Sequence, residues 1–455
     1  MADHHDDLGF DEEVTFDRRA LLEKAALAGG AIAAGGLLSD RALAALTADA
    51  GNVTFYSTQL AQVAEAEALR NTLFKGFQGK PTAVFAATEA EFDTRVKAEA
   101  RAGRGTIDLL GALHGSFSTL EDKNILMDLS DLVKEFSSGK TAIAKDFMTL
   151  GKLGTNRQYY IPWIQATYVC IANKRVLPLL PRGANINRLT YGQYNAWAKA
   201  IKARYGPRTG FPGGTTGLIH RFFQGYSLPA FSGGVVTTFK QPLAAASWQW
   251  MRAIWAHSHP QSLTYGFMQD PLLNEEVLLA WEHVARLRNA LVTRPDAFVV
   301  FPAPTGPKGL AYMPVLAGLA IPRSASNPNG AKALLRHLLS VSTQAKTLST
   351  VGFFPVVGGR LSKRLPTGLR AQSNAVKIMQ ASPKALPALL PIGLGAEGGN
   401  FNTIYRNTFT RTVVRKENIQ SVLADEGAKL QAIMDKSGAP CWRPDPPSNG
   451  ACKVR

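Results

Sequence analysis

The chain has 455 residues, and its 51 Lys and Arg against 34 Asp and Glu give a formal net charge of +17 at pH 7. A polypeptide of this length exceeds the usual limit of one hydrophobic core, so we expect two lobes. The basic residues are dispersed along the chain rather than gathered in one run, which argues against nucleic acid as a partner.

The amino-terminal segment has the features of an export signal. Arg18 and Arg19 precede an uncharged stretch, Ala25–Leu38, made only of Ala, Gly, Leu and Ile. This stretch is too short to span a bilayer, which takes about 20 residues, and small-residue sites follow it. The pattern is typical of a twin-arginine signal peptide, and we expect residues 1–50 to be removed on export. The acidic residues ahead of the arginines leave an ordinary amphipathic helix as the alternative.

The cysteines agree with an oxidising compartment. Cys441 and Cys452 lie in a Pro-rich carboxy-terminal segment, where a disulfide would close a short loop and hold the tail. Cys170 lies in an apolar run and is expected to be a buried free thiol. None of the three lies at the expected cleavage site, so we expect no lipid anchor. These observations together predict an exported, soluble, periplasmic protein.

Strands and helices alternate after residue 50. The segments NVTFYSTQ, TAVFAAT and TIDLLGAL read as strands, and AQVAEAEALRNTLFKGFQ, EAEFDTRVKAEARAG and LMDLSDLVKEF read as the helices that follow them. This order predicts parallel βαβ units and an α/β fold with open sheets flanked by helices. Ligands of such sheets lie beyond the carboxyl ends of the strands, so the turns at Ser57–Gln59 and Leu113–Gly115 are candidate site segments.

Several motifs occur in an order that resembles a known family. EARAGRGTIDLLG is followed by Tyr160-Ile161-Pro162, then by Asn173-Lys174-Arg175 and the helix LTYGQYNAWAKAIKA. Further on come VVFPAPTGPKG, the segment ending in GFFPVV, and the closing helix RKENIQSVLADEGAKLQAIM. This succession resembles the bacterial extracellular solute-binding proteins of ABC importers, family 1, which carry sugars. The resemblance covers nearly the whole chain after residue 50.

The resemblance implies two α/β lobes joined at a hinge, as in the periplasmic binding protein fold. It places the crossovers between the lobes near residues 163–172, 299–304 and 339–344. The implied domain boundaries are 51–168 and 303–340 for lobe 1, and 169–302 and 341–455 for lobe 2.

The resemblance also implies a binding protein rather than an enzyme, monomeric, with no metal or cofactor. A carbohydrate would bind in the cleft between the lobes and be delivered to the membrane subunits of an ABC permease. Sugars offer C–H faces to aromatic rings and hydroxyl groups to polar side chains. The candidate ligand-binding residues are Ser57, Gln59, His114, Trp163, Gln165, Tyr168, Phe231, Trp281 and Glu282. The glycine-rich loop at residues 210–218 could present backbone N–H groups to the solute, or be a plain flexible loop.

Three alternatives stay open at this point. Residues 1–50 hold four of the basic and ten of the acidic residues, so the remaining chain has 47 basic against 24 acidic side chains. Because of this excess of positive charge, an anionic or phosphorylated solute stays an alternative to a neutral sugar. An Arg or Lys in the cleft would favour the anionic solute. The others are an enzyme exported by the twin-arginine route and a binding protein that serves a chemoreceptor.

Overall fold

The computed structural model describes residues 50–121, 123–357 and 366–455. The predicted signal peptide falls on residues 1–49, outside this described part, and stays a prediction. Within the described ranges, no helix combines the length and the apolar character needed to cross a membrane. Residues 50–455 cluster as one compact unit.

The elements follow one another along the chain as strands and mostly short helices. The strands are β1 Asn52–Ser57, β2 Lys80–Phe85, β3 Leu109–Leu113, β4 Ile161–Ala166, β5 Tyr168–Asn173, β6 Thr209–Gly210, β7 Leu279–His283, β8 Phe298–Phe301, β9 Leu310–Tyr312, β10 Val315–Ala320, β11 Phe354–Pro355 and β12 Ala385–Pro387. The α-helices are α1 Val63–Ala68, α2 Glu89–Arg101, α3 His114–Glu121, α4 Lys145–Leu150, α5 Tyr191–Tyr205, α6 Ile219–Phe222, α7 Leu228–Ser232, α8 Pro242–Trp255, α9 Gln269–Leu273, α10 Arg288–Thr293, α11 Pro328–Leu339, α12 Val341–Val351, α13 Thr367–Gln380, α14 Gly398–Phe409 and α15 Ile419–Ser437.

Tighter and wider helical turns extend several of these elements. The 3₁₀ turns are Ser130–Phe136, Gly139–Thr141, Lys174–Leu179, Ile186–Arg188, Pro260–Leu263, Val284–Leu287 and Gly395–Glu397. The π-helical turns are Leu69–Leu73, Phe223–Ser227 and Thr410–Val414.

Lobe 1 is built on a six-stranded sheet with the order β11-β4-β10-β3-β1-β2 in the described chain. β1 pairs in parallel with β2 and β3, as the alternation of strands and helices predicts. β10 returns from late in the sequence and inserts antiparallel between β3 and β4. Its Gly318 gives the ring of Tyr160 room to pack, because a Cβ there would lie 2.1 Å from the ring. The sheet is therefore parallel on one side of β3 and antiparallel on the other.

Lobe 2 is built on a four-stranded sheet with the order β6-β7-β5-β8. β5 pairs antiparallel with both β7 and β8, and all six of its residues are buried. Such a continuously apolar strand suits the centre of a sheet that helices cover on both faces. Cys170, on β5, is a buried free thiol. The α/β class and the two main sheets agree with the expectation from the sequence; a small third sheet pairs β9 with β12 in parallel.

The chain first passes between the lobes at Thr167, the single residue between β4 and β5. The hydroxyl of Thr167 donates to the carbonyl oxygen of Met313 at 2.9 Å. The hydroxyl of Tyr226 lies 3.0 Å from Thr167 Oγ1, accepts from the N–H of Tyr168 and donates to its carbonyl oxygen. We call Thr167, Tyr168, Tyr226 and Met313 the hinge knot.

The other two crossings come later in the chain than predicted. Residues 303–309 stay on lobe 2, where Thr305 N–H bonds the carbonyl of Leu189 and Lys308 N–H that of Ala230. The chain re-enters lobe 1 only after Met313, rather than at residue 303. Residues 341–355 also belong to lobe 1, because β11 pairs with β4.

The physical reason for the late third crossing is a buried glutamine on α12. Gln344 donates to the carbonyl oxygens of Trp163 and Leu338 and accepts from the N–H of Val356, at 2.9–3.0 Å. These bonds hold α12 against β4, so the chain crosses between residue 355 and α13 instead of near residue 341.

The carboxy-terminal tail is held on lobe 2 at two points. Cys441 and Cys452 form a disulfide. Between them, Asp445 is 2% exposed, and its carboxylate accepts the N–H groups of Val235, Val236 and Thr237. A carboxylate with this many backbone donors fixes the tail independently of the cross-link.

We expect Tyr226→Phe to lower the free energy of unfolding by about 1–3 kcal/mol, because it removes the hydroxyl that bonds the buried N–H and carbonyl of Tyr168. Tyr205→Phe serves as the control, since its hydroxyl bonds to none of the described residues and it is only partly buried. Urea unfolding of both variants measures the difference. Equal stabilities would contradict a structural role for the hinge knot.

Candidate functional site

The two lobes face each other across a cleft at the carboxyl ends of β1 and β3. One part of it is a cavity of about 240 Å³ whose walls include Gln59 and Glu65 of lobe 1 and Tyr168 of lobe 2. A second cavity, of about 330 Å³, adjoins the first and shares Leu113, Arg221 and Leu390 with it. We call these two cavities together the cleft site. They lie at the strand ends where α/β sheets bind ligands.

The turn after β1 forms part of the lobe 1 wall. Ser57 is fully buried, and its hydroxyl donates to the carbonyl of Gly111 at 2.7 Å while accepting the N–H of Gln59 at 2.9 Å. Ser57 therefore fixes the turn and does not line the cleft site. Gln59 does line it, with its amide held 3.0 Å from Thr58 Oγ1.

An aromatic stack forms part of the lobe 2 wall. The ring of Tyr168 lies flat on that of Trp281, with centroids 4.5 Å apart and planes 4° from parallel. Tyr168 lines the cleft site, whereas Trp281 is fully buried behind it. Trp281 therefore supports the ring that faces the cleft, in place of the direct ligand contact predicted from the sequence.

Side chains alternate between the two faces of β7, so Glu282 lies on the face opposite to Trp281 and His283. Glu282 is fully buried, and its carboxylate accepts the N–H groups of Met268 at 3.0 Å and His283 at 2.6 Å. Burial raises the pKa of Glu282 to about 7. It does not line the cleft site, but His283 does, on the same face of the strand as Trp281. The period of two in LAWEH was the signal that could have identified His283.

The remaining predicted residues lie outside the cleft site. Trp163 is fully buried in the core of lobe 1, edge-on to Phe55 at 5.5 Å. Phe231 packs on Tyr191 at 5.1 Å within lobe 2. These two are core residues, because the strand and helix they lie on turn their side chains inward.

His114 and Gln165 line cavities of their own. The imidazole of His114 lies 2.7 Å from the hydroxyl of Tyr160, and burial lowers its pKa to about 4. It borders a third cavity, of about 370 Å³, which shares Leu390 with both cavities of the cleft site. Gln165 donates to the carbonyl of Pro355 at 2.7 Å beside a smaller space of about 170 Å³. Of the nine predicted residues, the structure thus brings only Gln59 and Tyr168 into the cleft site.

The glycine-rich loop at residues 210–218 is fixed by arginines rather than free. Arg286 donates to the carbonyls of Thr216 and Gly266 at 3.2 Å, and Arg406 donates to those of Gly214 and Gly217. The N–H groups of the loop bond within lobe 2, for example Gly214 to the carbonyl of Tyr265 at 2.9 Å. The N–H groups of Gly213, Gly214 and Gly217 are therefore engaged within lobe 2 rather than offered to a solute.

Two arginines that the sequence analysis did not single out line the cleft site, Arg221 and Arg286. Arg221 follows the glycine-rich loop on α6 and lines both cavities. Its Nη1 donates to Gln224 Oε1 at 2.9 Å. Burial lowers the pKa of Arg221, which still leaves the guanidinium charged at neutral pH. No motif marks these positions, so only the fold could reveal them.

The acidic side chains of the cleft site come from the opposite lobe. Glu65 on α1 and Glu89 on α2 line the lobe 1 wall. The carboxylate of Glu89 accepts from the hydroxyl of Ser116 at 2.8 Å. Burial raises the pKa of Glu65 to about 7, and the charge of Arg286 opposes part of that rise. The carboxylates of the cleft site thus lie on lobe 1 and face the guanidinium groups, which lie on lobe 2.

Glu65 should make stability depend on pH. Because its pKa rises from 4.5 to about 7 on folding, the folded protein keeps a proton that the unfolded chain loses between those values. The free energy of unfolding should therefore fall by about 1–3 kcal/mol as pH rises through this window. We expect Glu65→Gln to reduce that fall by the share of Glu65, while Glu282, whose pKa is also raised to about 7, continues to contribute. Glu67→Gln, on the exposed side of the same helix, should keep the whole fall. Urea titrations at pH 4.5, 6 and 8 measure both; identical pH dependence in the two variants would refute the assignment.

Comparison with solved structures identifies the fold. Maltose-bound MalE3 of T. maritima superposes with a TM-score of 0.66 at 17% identity, over 84% of this chain and 100% of that one. Lmo0181 of Listeria monocytogenes, solved with cycloalternan, gives 0.65 at 14% identity, over 84% and 99%. UgpB of Mycobacterium tuberculosis, solved with glycerophosphocholine, gives 0.64 at 17%, over 85% and 99%. The chain therefore has the two-lobe periplasmic binding protein fold.

The sequence comparisons agree with this fold. A search of curated proteins by sequence gives no significant match. The profile of the family described as "Bacterial extracellular solute-binding protein" matches residues 57–345, more than half of the chain. The protein belongs to the family of bacterial extracellular solute-binding proteins.

Proposed function

We propose that the protein binds a carbohydrate in the cleft site and delivers it to the membrane permease of an ABC importer. The observation that carries this proposal is the composition of the two walls. Tyr168, which is 3% exposed and stacked on Trp281, borders the cleft site with an aromatic ring, while Gln59, Glu65 and Glu89 offer polar groups from the other lobe. A sugar needs both kinds of surface at once.

Two of the superposed structures support a carbohydrate as the solute. MalE3 of T. maritima holds maltose and Lmo0181 of Listeria monocytogenes holds cycloalternan. Proteins of this family and these neighbours are binding proteins rather than enzymes. An enzymatic function would require turnover of the bound solute, which a product assay on the purified protein would detect.

The proposed mechanism is closure of the lobes around the solute. The solute contacts both walls, so it stabilises the arrangement in which the walls are close together, by its difference in affinity for the two arrangements. The hinge knot joins two of the crossings and gives the lobes a common pivot. The closed form would then dock on the permease.

The first test is thermal unfolding of the protein with a panel of neutral and anionic mono- and oligosaccharides. A sugar at 100 times its dissociation constant should add about 2.7 kcal/mol and raise the melting temperature by several degrees. We expect Gln59→Ala to weaken binding of the responding sugar about tenfold, as the loss of one or two hydrogen bonds would. Gln78→Ala, on the exposed surface of the same lobe, is the matched control. A panel without any response would contradict the carbohydrate.

We also propose that the protein reaches the periplasm by the twin-arginine route. The support is the pair Arg18-Arg19 ahead of the apolar stretch. Replacing both with lysine in the full chain should leave most of the protein in the cytoplasm of a two-membrane bacterium. Arg41→Lys, beyond the apolar stretch, should not change the distribution. Fractionation and immunoblotting measure it, and export of the double variant at the normal level would exclude this route.

A further inference from the structure

We propose that the solute carries an anionic group, a carboxylate or a phosphate, that binds Arg221 in the cleft site. This inference rests on the proposed function, because it takes the cleft site to be the solute site. It deepens that function by naming the chemical class of the solute as an acidic saccharide.

The guanidinium of Arg221 has no carboxylate of the described chain in contact with it. It lines both cavities of the cleft site and is only partly exposed. Among the residues that the structure describes, no carboxylate oxygen lies within 4.0 Å of it, and its hydrogen bond goes to the neutral amide of Gln224. Charges shielded from water are ordinarily paired. The charge of Glu89 across the cavity acts on Arg221 from a distance, but no described carboxylate contacts it. A solute that brings a negative charge to this wall would supply a partner in direct contact.

Two successive hydrogen bonds, which we call the relay, leave only N–H donors of Arg221 and Asn402 for the solute. Arg221 Nη1 donates to Gln224 Oε1 at 2.9 Å, and Gln224 Nε2 donates to Asn402 Oδ1 at 3.0 Å. The acceptor atoms of both amides are therefore engaged within the protein. The other N–H groups of Arg221 and the amide nitrogen of Asn402, which also lines the cleft site, remain for the solute. Carboxylates and phosphates consist of acceptor oxygens and match such a wall.

The surroundings of the relay agree with an anion. Gly398 and Gly399 begin α14 beside Asn402, and a Cβ at either would meet nothing within 4 Å, so a solute atom can approach. The amino end of this helix adds a favourable potential for negative charge. Arg406 lies close enough for its pKa to be lowered by burial and by the charge of Arg221. The lobe 2 wall is thus positive beyond Arg221 itself.

The carboxylate of Glu89 on the opposite wall sets the orientation. It lines the same cavity as Arg221 and accepts from Ser116 Oγ. A carboxylate repels a second anion and accepts from hydroxyl groups. An acidic saccharide would therefore place its anionic group on the lobe 2 wall and its hydroxyl groups on the lobe 1 wall.

Calorimetric titration of the purified protein tests this with five probes: glucose, glucuronate, glucose 6-phosphate, maltose and glycerol 3-phosphate. We expect at least one charged sugar to bind ten times more tightly than glucose, with an affinity that falls as NaCl is raised. Arg221→Gln should abolish the preference and Arg221→Lys should keep part of it. Arg182→Gln, an exposed arginine of lobe 2, should keep all of it.

The melting temperature of solute-free Arg221→Gln is the second measurement. Loss of an unpaired buried charge should leave the melting temperature unchanged or raise it, whereas a clear drop would show that Arg221 is a structural residue and overturn the inference.

The outcomes of the titration separate the two proposals. Binding of glucose or maltose with no preference for charge, unaffected by Arg221→Gln, would leave the proposed function standing and refute the anionic group. Binding of glycerol 3-phosphate without any sugar would keep the anionic group and refute the carbohydrate. Silence of all five probes would refute both.

Discussion

The two lobes depend on one buried point, the hinge knot at the first crossing. Thr167 donates to the backbone of Met313 at the second crossing, and Tyr226 closes the group by bonding both backbone groups of Tyr168 while its hydroxyl lies 3.0 Å from Thr167 Oγ1. Breaking any one of these bonds would leave a buried polar group without a partner, which costs about 1–3 kcal/mol of stability. The bonds are therefore expected to form and break as a group. Two crossings of the chain therefore behave as one, and a relative rotation of the lobes would pivot about this point.

The same segment that supplies the hinge knot supplies the cleft. Arg221 lies on α6, and the π-helical turn Phe223–Ser227 that follows carries Gln224 and Tyr226. Such wide turns are often found at functional sites, because they redirect side chains within a continuous helix. Here Tyr226 bonds within the hinge knot, Arg221 lines the cleft site, and Gln224 is buried behind Arg221 and bonds it. The position of the guanidinium is thus tied to the hinge knot, and in the proposed closure the carboxylates of the other lobe would move relative to it.

Local patterns predicted most of lobe 1, because alternation in NVTFYS and helical spacing in the following segments are short-range signals. The later crossings were placed too early, since their positions depend on long-range bonds such as those of Gln344 to Trp163 and Val356. Aromatic side chains were assigned to the cleft by chemistry alone, and tertiary packing placed Trp163 and Phe231 in the cores. Arg221 was missed because a single arginine carries no pattern until the fold brings it to a cavity.

The order of strands in lobe 1 also bears on how the chain folds during synthesis. β10 separates β3 from β4 in the sheet, yet its residues 315–320 emerge long after both. Until then the nascent chain has two strand edges that lack their common neighbour, and such edges invite pairing with other chains. Contacts this distant in sequence form slowly. The fold of lobe 1 can therefore be completed only late in translation, and the unfinished chain needs protection from aggregation until β10 has been made.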